Sequence, residues 1–185
     1  MELDAQEFTN GTTLDTDVCI VGAGPAGLVL AAELIGLRCD VILLESGAAR
    51  PEAAILGLND GDSVGDVYAG LGATRRRGIG GTSGAWNTTV ARAPAAKFAP
   101  LDAVDFEERP DRPYGGWPFG LAELRGDYER AQRICALGPF SYDAASWSEG
   151  GRLPWPATGP NRVTRVYHLG SRDACVAPLH AAIAR

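Results

Sequence analysis

The chain has 185 residues, with 17 basic and 23 acidic side chains and a formal net charge of −6. That length suits one domain or at most two, and 45% hydrophobic with 22% charged residues excludes a disordered or fibrous chain. A net negative chain has no field that attracts a phosphate backbone, which excludes general nucleic-acid binding.

Residues 1–16 are polar and irregular and read as a flexible lead-in. Met1 to Asn10 carries acids and no basic residue, the reverse of a secretory signal, so a cytoplasmic protein is expected. Asp17-Val-Cys-Ile-Val21 is a short β-branched run that predicts a buried parallel strand. Pro25 to Leu37 has helical spacing, with Ala26, Leu30, Leu34 and Leu37 on one face and Pro25 in the first turn, where a helix accepts proline. Glycines, a proline and Glu33 interrupt the stretch from Val18 to Leu37, so it is no membrane span. Val41-Ile-Leu-Leu44 predicts a second buried strand, ending at Glu45-Ser46-Gly47. Strand, helix and strand within about 30 residues make a βαβ unit.

Ala48 to Thr74 shows no strong period. Arg75 to Asn87 is a second glycine-rich segment, and Ala91 to Gly120 is proline-rich, with little regular structure expected. Leu121 to Leu137 predicts a helix presenting Leu121, Leu124, Tyr128, Ala131 and Ile134 or Cys135. Val163 to Tyr167 alternates like a half-buried strand, and Asp173 to Arg185 reads as a helix. Cys19, Cys39, Cys135 and Cys175 form no Cys-x-x-Cys pair and read as reduced thiols.

Gly22-Ala-Gly-Pro-Ala-Gly27 matches G-x-G-x-x-G between strand and helix. Gly22 permits the turn, Gly24 lets backbone approach a pyrophosphate, and Gly27 lets the helix pack on the strand. The free amides of the first turn, around Pro25 and Ala26, and the positive end of the helix dipole face the phosphates. Glu45 lies 18 residues beyond Gly27, where a carboxylate accepts hydrogen bonds from an adenosine ribose and repels an NADP phosphate. The unit therefore predicts a dinucleotide site without choosing NAD or FAD.

The choice comes from a resemblance. Gly22–Gly27 with Leu43-Leu-Glu-Ser-Gly47 is similar to the start of a flavoprotein. Arg77-Gly-Ile-Gly-Gly-Thr-Ser-Gly-Ala-Trp86 resembles the second flavin-contacting stretch of the glucose–methanol–choline oxidoreductase family, in its bacterial sugar-oxidising and choline-dehydrogenase-like branch. Asp105-Phe-Glu, Gly116-Trp-Pro-Phe119 and Tyr128-Glu-Arg-Ala131 follow in the order of that branch. The resemblance implies an α/β, Rossmann-like FAD-binding fold over residues 17–137, incomplete here, with the start of a substrate-binding domain at 138–185. It implies hydride transfer from a CH–OH group of an alcohol or sugar to flavin, with the electron acceptor open. Gly80 and Gly81 then allow close approach of the cofactor, Thr82 and Ser83 donate to phosphate or ribitol oxygens, Arg77 brings charge to the pyrophosphate, and Trp86 neighbours the flavin. Arg75 is a weaker candidate for the pyrophosphate.

Ala85 stands where some sugar-oxidising relatives carry a flavin-linking histidine, so FAD is expected to be held non-covalently. Asn87 is displaced by one position from the family's asparagine. His168 and His180 match no family motif and read as structural; the family's catalytic histidine would lie beyond Arg185, which implies an inactive N-terminal fragment. A metal site of His168, Cys175 and His180 is disfavoured, because the three lack a tight pair. Two alternatives share the opening fingerprint: an aromatic-hydroxylase-type flavin monooxygenase, and a flavin-free binding scaffold.

Overall fold

The computed structural model describes residues 1–48, 50, 52–86, 88–90, 92–111, 115–148, 164–171 and 173–184. The chain divides into two compact units, residues 1–87 with 172–185, and residues 88–171.

In the first unit, β1 (Val18–Val21) pairs in parallel with β2 (Val41–Leu44), Val18 opposite Val41 and Val21 opposite Leu44. Between them runs α1 (Pro25–Leu34). This is the βαβ unit of a Rossmann-like α/β fold, with two strands of its sheet among the described residues. Thr16 and Asp17 hold its open end: the Thr16 hydroxyl donates to the Asp40 carbonyl at 2.8 Å, and the Asp40 amide donates to the Asp17 carboxylate at 2.8 Å. The Gly22 amide carries the ladder on to the Leu44 carbonyl at 2.7 Å.

Three expectations for this unit need correction. The helix stops at Leu34 rather than Leu37, because Gly36 turns the chain at φ +84° and the Leu37 amide folds back to the Leu34 carbonyl. Its packed face is also not Ala26–Leu30–Leu34. Leu28 and Ala31 are buried, Leu28 completely, while Leu30 is about half exposed. The side that carries Gly27 comes closest to β1, and it brings Leu28 and Ala31 into the interior with it. β1 itself is covered on one face only. Ile20 is buried, but Cys19 is exposed and Val21 is 82% exposed, against the expectation of a strand buried on both faces.

Short helices α2 (Ala53–Leu56) and α3 (Leu71–Thr74) lie along the excursion after β2, and a single 3-10 stretch (Gly81–Ala85) forms the second glycine turn.

The second unit holds a three-stranded antiparallel sheet that the sequence pattern did not suggest. β3 (Thr88–Val90) pairs with β4 (Ala93–Phe98), and β4 pairs with β5 (His168–Ser171). The proline-rich stretch therefore contains a strand: Pro94 lies one residue outside the β4–β5 register, which starts at Ala95 opposite Ser171, so its missing N–H breaks no bond to β5. Ala95 and Ala96 are buried. The strand expected at 163–167 lies later. Val163 is outside the described residues, Arg165 makes an isolated bridge to Asp143, and the regular strand begins at His168.

After α4 (Ala103–Phe106), capped by Asp102 and Asp105, a 3-10 turn at Leu121–Leu124 leads into α5 (Arg125–Ile134). Tyr128 and Ile134 are half-buried as expected, but Ala131 is exposed and Gln132 is the buried residue of α5. Gln132 earns that position through its amide, which donates to the Pro139 carbonyl and accepts from the Tyr142 hydroxyl at 2.9 Å. The last helix, α6 (Val176–Ile183), belongs to the first unit and packs along α1. Arg185 is outside the described residues, as is Asn87. All four cysteines are free.

Candidate cofactor site

β1 delivers Gly22 to the turn and α1 begins at Pro25, with Gly24 as its N-cap. Gly24 has no side chain to cap the helix, so the first-turn amides after Pro25 keep their hydrogen-bonding capacity. The two glycines flanking this point behave oppositely. A Cβ on Gly24 would meet nothing within 4 Å, whereas one on Gly27 would stand 2.0 Å from the Gly22 carbonyl oxygen. Gly27 is thus required for packing, and Gly24 faces open space at the positive end of a ten-residue helix. That space suits a pyrophosphate.

The second glycine turn lies against the first. The Gly80 amide donates to the Ala23 carbonyl at 2.7 Å, and a Cβ on Gly81 would come 3.4 Å from the Gly24 Cα. Gly78, Gly80 and Gly81 all take positive φ, and Gly78 reaches +133°. The turn thus depends on glycine for its shape as well as for access.

Glu45 joins the two turns. One carboxylate oxygen accepts from the Ala23 amide at 2.8 Å; the other accepts from the Gly47 and Gly78 amides, both at 3.0 Å, and from the Ser46 hydroxyl at 3.2 Å. Gly47 makes the junction possible, because a Cβ there would lie 2.7 Å from the Gly78 nitrogen. Sequence reading assigned Gly47 no role, since its partner is 31 positions away.

Arg77 lies beside this junction. Its guanidinium donates to the Asn59 side chain at 2.9 Å, the Ser46 hydroxyl at 3.0 Å and the Leu58 carbonyl at 3.3 Å. Asn59, buried, donates in turn to the Arg75 carbonyl. The Ser83 hydroxyl, also buried, donates to the Gly80 carbonyl at 2.6 Å, and the Thr82 hydroxyl accepts from the Arg76 amide at 3.3 Å. Both hydroxyls brace their own segment. Trp86 is 39% exposed. The structure therefore brings Gly22, Gly24, Pro25, Ala26, Gly27, Glu45, Gly80 and Gly81 to one place, with Arg77, Thr82 and Ser83 holding the backbone around it.

A family model described as FAD binding domain matches residues 15–53. No match to the chain was found among curated proteins or solved structures. The matched residues include β1, α1, β2 and Glu45, and the match indicates FAD as the cofactor. It supports a flavoprotein domain and a flavin-dependent enzyme, without singling out the glucose–methanol–choline family. The match stops before the second glycine turn.

No group of three His, Cys, Asp or Glu among the described residues is placed to hold a metal ion. No helix among them is long and apolar enough to cross a membrane. Of the two histidines, His168 is buried with its ring nitrogens each 2.9 Å from a carbonyl oxygen, of Leu137 and Ser141. His180 faces Glu2 at 3.6 Å.

Proposed function

We propose that this chain carries the adenosine and pyrophosphate half of the FAD site of a flavin-dependent oxidoreductase. The observation that carries the reading is the open space over Gly24 at the start of α1, with the Glu45 carboxylate at the end of the neighbouring strand, inside the segment that matches an FAD-binding family. The first-turn amides of α1 meet the pyrophosphate, Glu45 lies on the ribose side, and the residues from Gly80 to Trp86 continue the contact towards the flavin. Bound there, FAD supplies a two-electron acceptor. The chain supplies orientation and electrostatics, and Ala85 offers no nucleophile for a covalent link.

The class of the matching family favours a flavin monooxygenase of the aromatic-hydroxylase type, in which a nicotinamide nucleotide reduces the flavin. A second reading, oxidation of the CH–OH group of an alcohol or sugar, draws on the resemblance of Arg77–Trp86 and on the direct packing of that turn against Gly24. Anaerobic mixing of the flavin-loaded protein with each reductant separates them. Bleaching of the flavin by NADH or NADPH, with hydroxylation of a phenol once oxygen is admitted, supports the first. Bleaching by an alcohol or sugar alone supports the second, and a chain that takes up no FAD overturns both.

A further inference from the structure

We infer that Glu45 is a positioning residue that clasps the two glycine turns together before any cofactor arrives, in addition to whatever it offers a ribose. The argument rests on where its acceptor capacity goes. A carboxylate has about four lone-pair sites, and Glu45 already receives four donors. Three of them are backbone amides, from Ala23 in the first turn, Gly47 at the end of its own strand, and Gly78 at the start of the second turn. Three oxygen–donor contacts fall on one oxygen and one on the other, so only the oxygen facing Ala23 keeps room for a further donor. Bonds from amides to an ionised acceptor are the stronger kind.

Ser46 and Arg77 extend the clasp outward, since the Ser46 hydroxyl donates to Glu45 and accepts from Arg77. Arg77 is in turn tied to Asn59 and Leu58. The Gly80–Ala23 bond and the Gly81–Gly24 approach do not involve Glu45, yet both need Gly78 held where the Glu45 carboxylate holds it. A glutamine cannot substitute. If its oxygen takes the Gly47 and Gly78 amides, its NH2 confronts the Ala23 amide, donor against donor.

This inference rests on the cradle reading for its ligand arm alone. The experiment is amide hydrogen exchange on the ligand-free 185-residue chain, wild type against Glu45→Gln, read at Gly80, whose amide does not touch Glu45. A clasp accelerates Gly80 exchange about ten-fold while the Ile20 amide in the strand ladder keeps its protection. Unchanged Gly80 exchange overturns the inference. If Ile20 also loses protection, Glu45→Asp, which keeps the charge on a shorter arm, is read in its place by the same criterion. The second arm titrates inorganic pyrophosphate, which has no ribose. A clasp weakens pyrophosphate binding in Glu45→Gln although a negative charge has been removed; a residue that serves the ribose alone leaves it unchanged or tighter, which overturns the inference. A wild-type chain that binds neither pyrophosphate nor FAD sinks the cradle reading, and the Gly80 amide still tests the clasp.

Discussion

Gly47 and Gly78 touch backbone to backbone, so closely that one methyl group on Gly47 would lie 2.7 Å from the Gly78 nitrogen and 2.8 Å from the Arg77 carbonyl carbon. Two segments 31 residues apart in sequence thereby share one junction, around which the proposed cofactor cradle is built. Gly47→Ala should separate the turns and lower flavin content, with a destabilisation of about 1–3 kcal/mol. Flavin absorbance per mole of folded protein checks it, and wild-type content with wild-type stability would show that the junction yields.

Gly24 and Gly27 should respond in opposite ways. Gly27→Ala pushes a methyl group into the Gly22 carbonyl and should cost about 1–3 kcal/mol in urea unfolding, with flavin lost as a consequence. Gly24→Val enters open space, at a backbone φ of −71° that any residue can take, so the fold should persist while the pyrophosphate is excluded. A folded Gly24→Val protein with full flavin content would place the cofactor elsewhere.

The start of the fold was legible because its signals are local. The β-branched run at Val18–Val21, the glycine turn and Pro25 lie within eight residues, and the structure follows them closely. The packed face of α1 was misread because leucines four apart outweighed Gly27, although the residue without a side chain decides which face can approach the strand. The sheet β3–β4–β5 was missed for another reason. Phe98 pairs with His168, 70 positions away, and no periodic pattern in either segment announces such a partner. Sequence separation likewise hides the Glu45–Gly78 bond and the bonds by which Arg77, which reads from sequence as a phosphate ligand, reaches Asn59, Ser46 and Leu58.

Tyr142 predicts a pH dependence at the alkaline end. Burial lifts its phenol above the usual 10.0, and the nearby Cys135 adds to this. The folded state therefore holds this proton more tightly than the unfolded chain does. Its contribution to stability is complete below the unfolded value and is lost as the pH rises through the folded one. The urea midpoint of wild type should fall above pH 10 more steeply than that of Tyr142→Phe, and parallel curves would refute the assignment. At neutral pH the same substitution should cost about 1 kcal/mol, through the lost bond to Gln132.

His168 should matter for stability and for nothing chemical. Its ring lies against Tyr142 and Trp147, with both nitrogens directed at carbonyl oxygens. His168→Phe keeps an aromatic ring there but leaves the Leu137 and Ser141 carbonyls without these partners. A loss of about 1–3 kcal/mol in urea unfolding is expected, with flavin content per folded protein unchanged.

The uncovered face of β1 and β2 predicts self-association of the 185-residue chain studied alone. Val21 is 82% exposed and Leu44 is 49% exposed, side by side at the end of a short parallel pair whose edges are open among the described residues. Val21→Lys should raise the fraction of monomer in sedimentation, and an unaltered distribution would show that this face is not the sticky one.

The excursion that leaves at Ala48 and comes back at Arg77 departs and returns through the same point, since Gly47 meets Gly78 and the Ile79 amide reaches the Ala48 carbonyl. A path closed at its neck can change length without disturbing what it encircles. Lengthening such a loop costs only about 0.6 kcal/mol for each doubling. Asn59 and Leu58 tether it to Arg77. Beyond that tether, from Gly61 to Gly70, the chain offers a port where a reporter peptide or a whole domain could be grafted while the junction beneath stays shut.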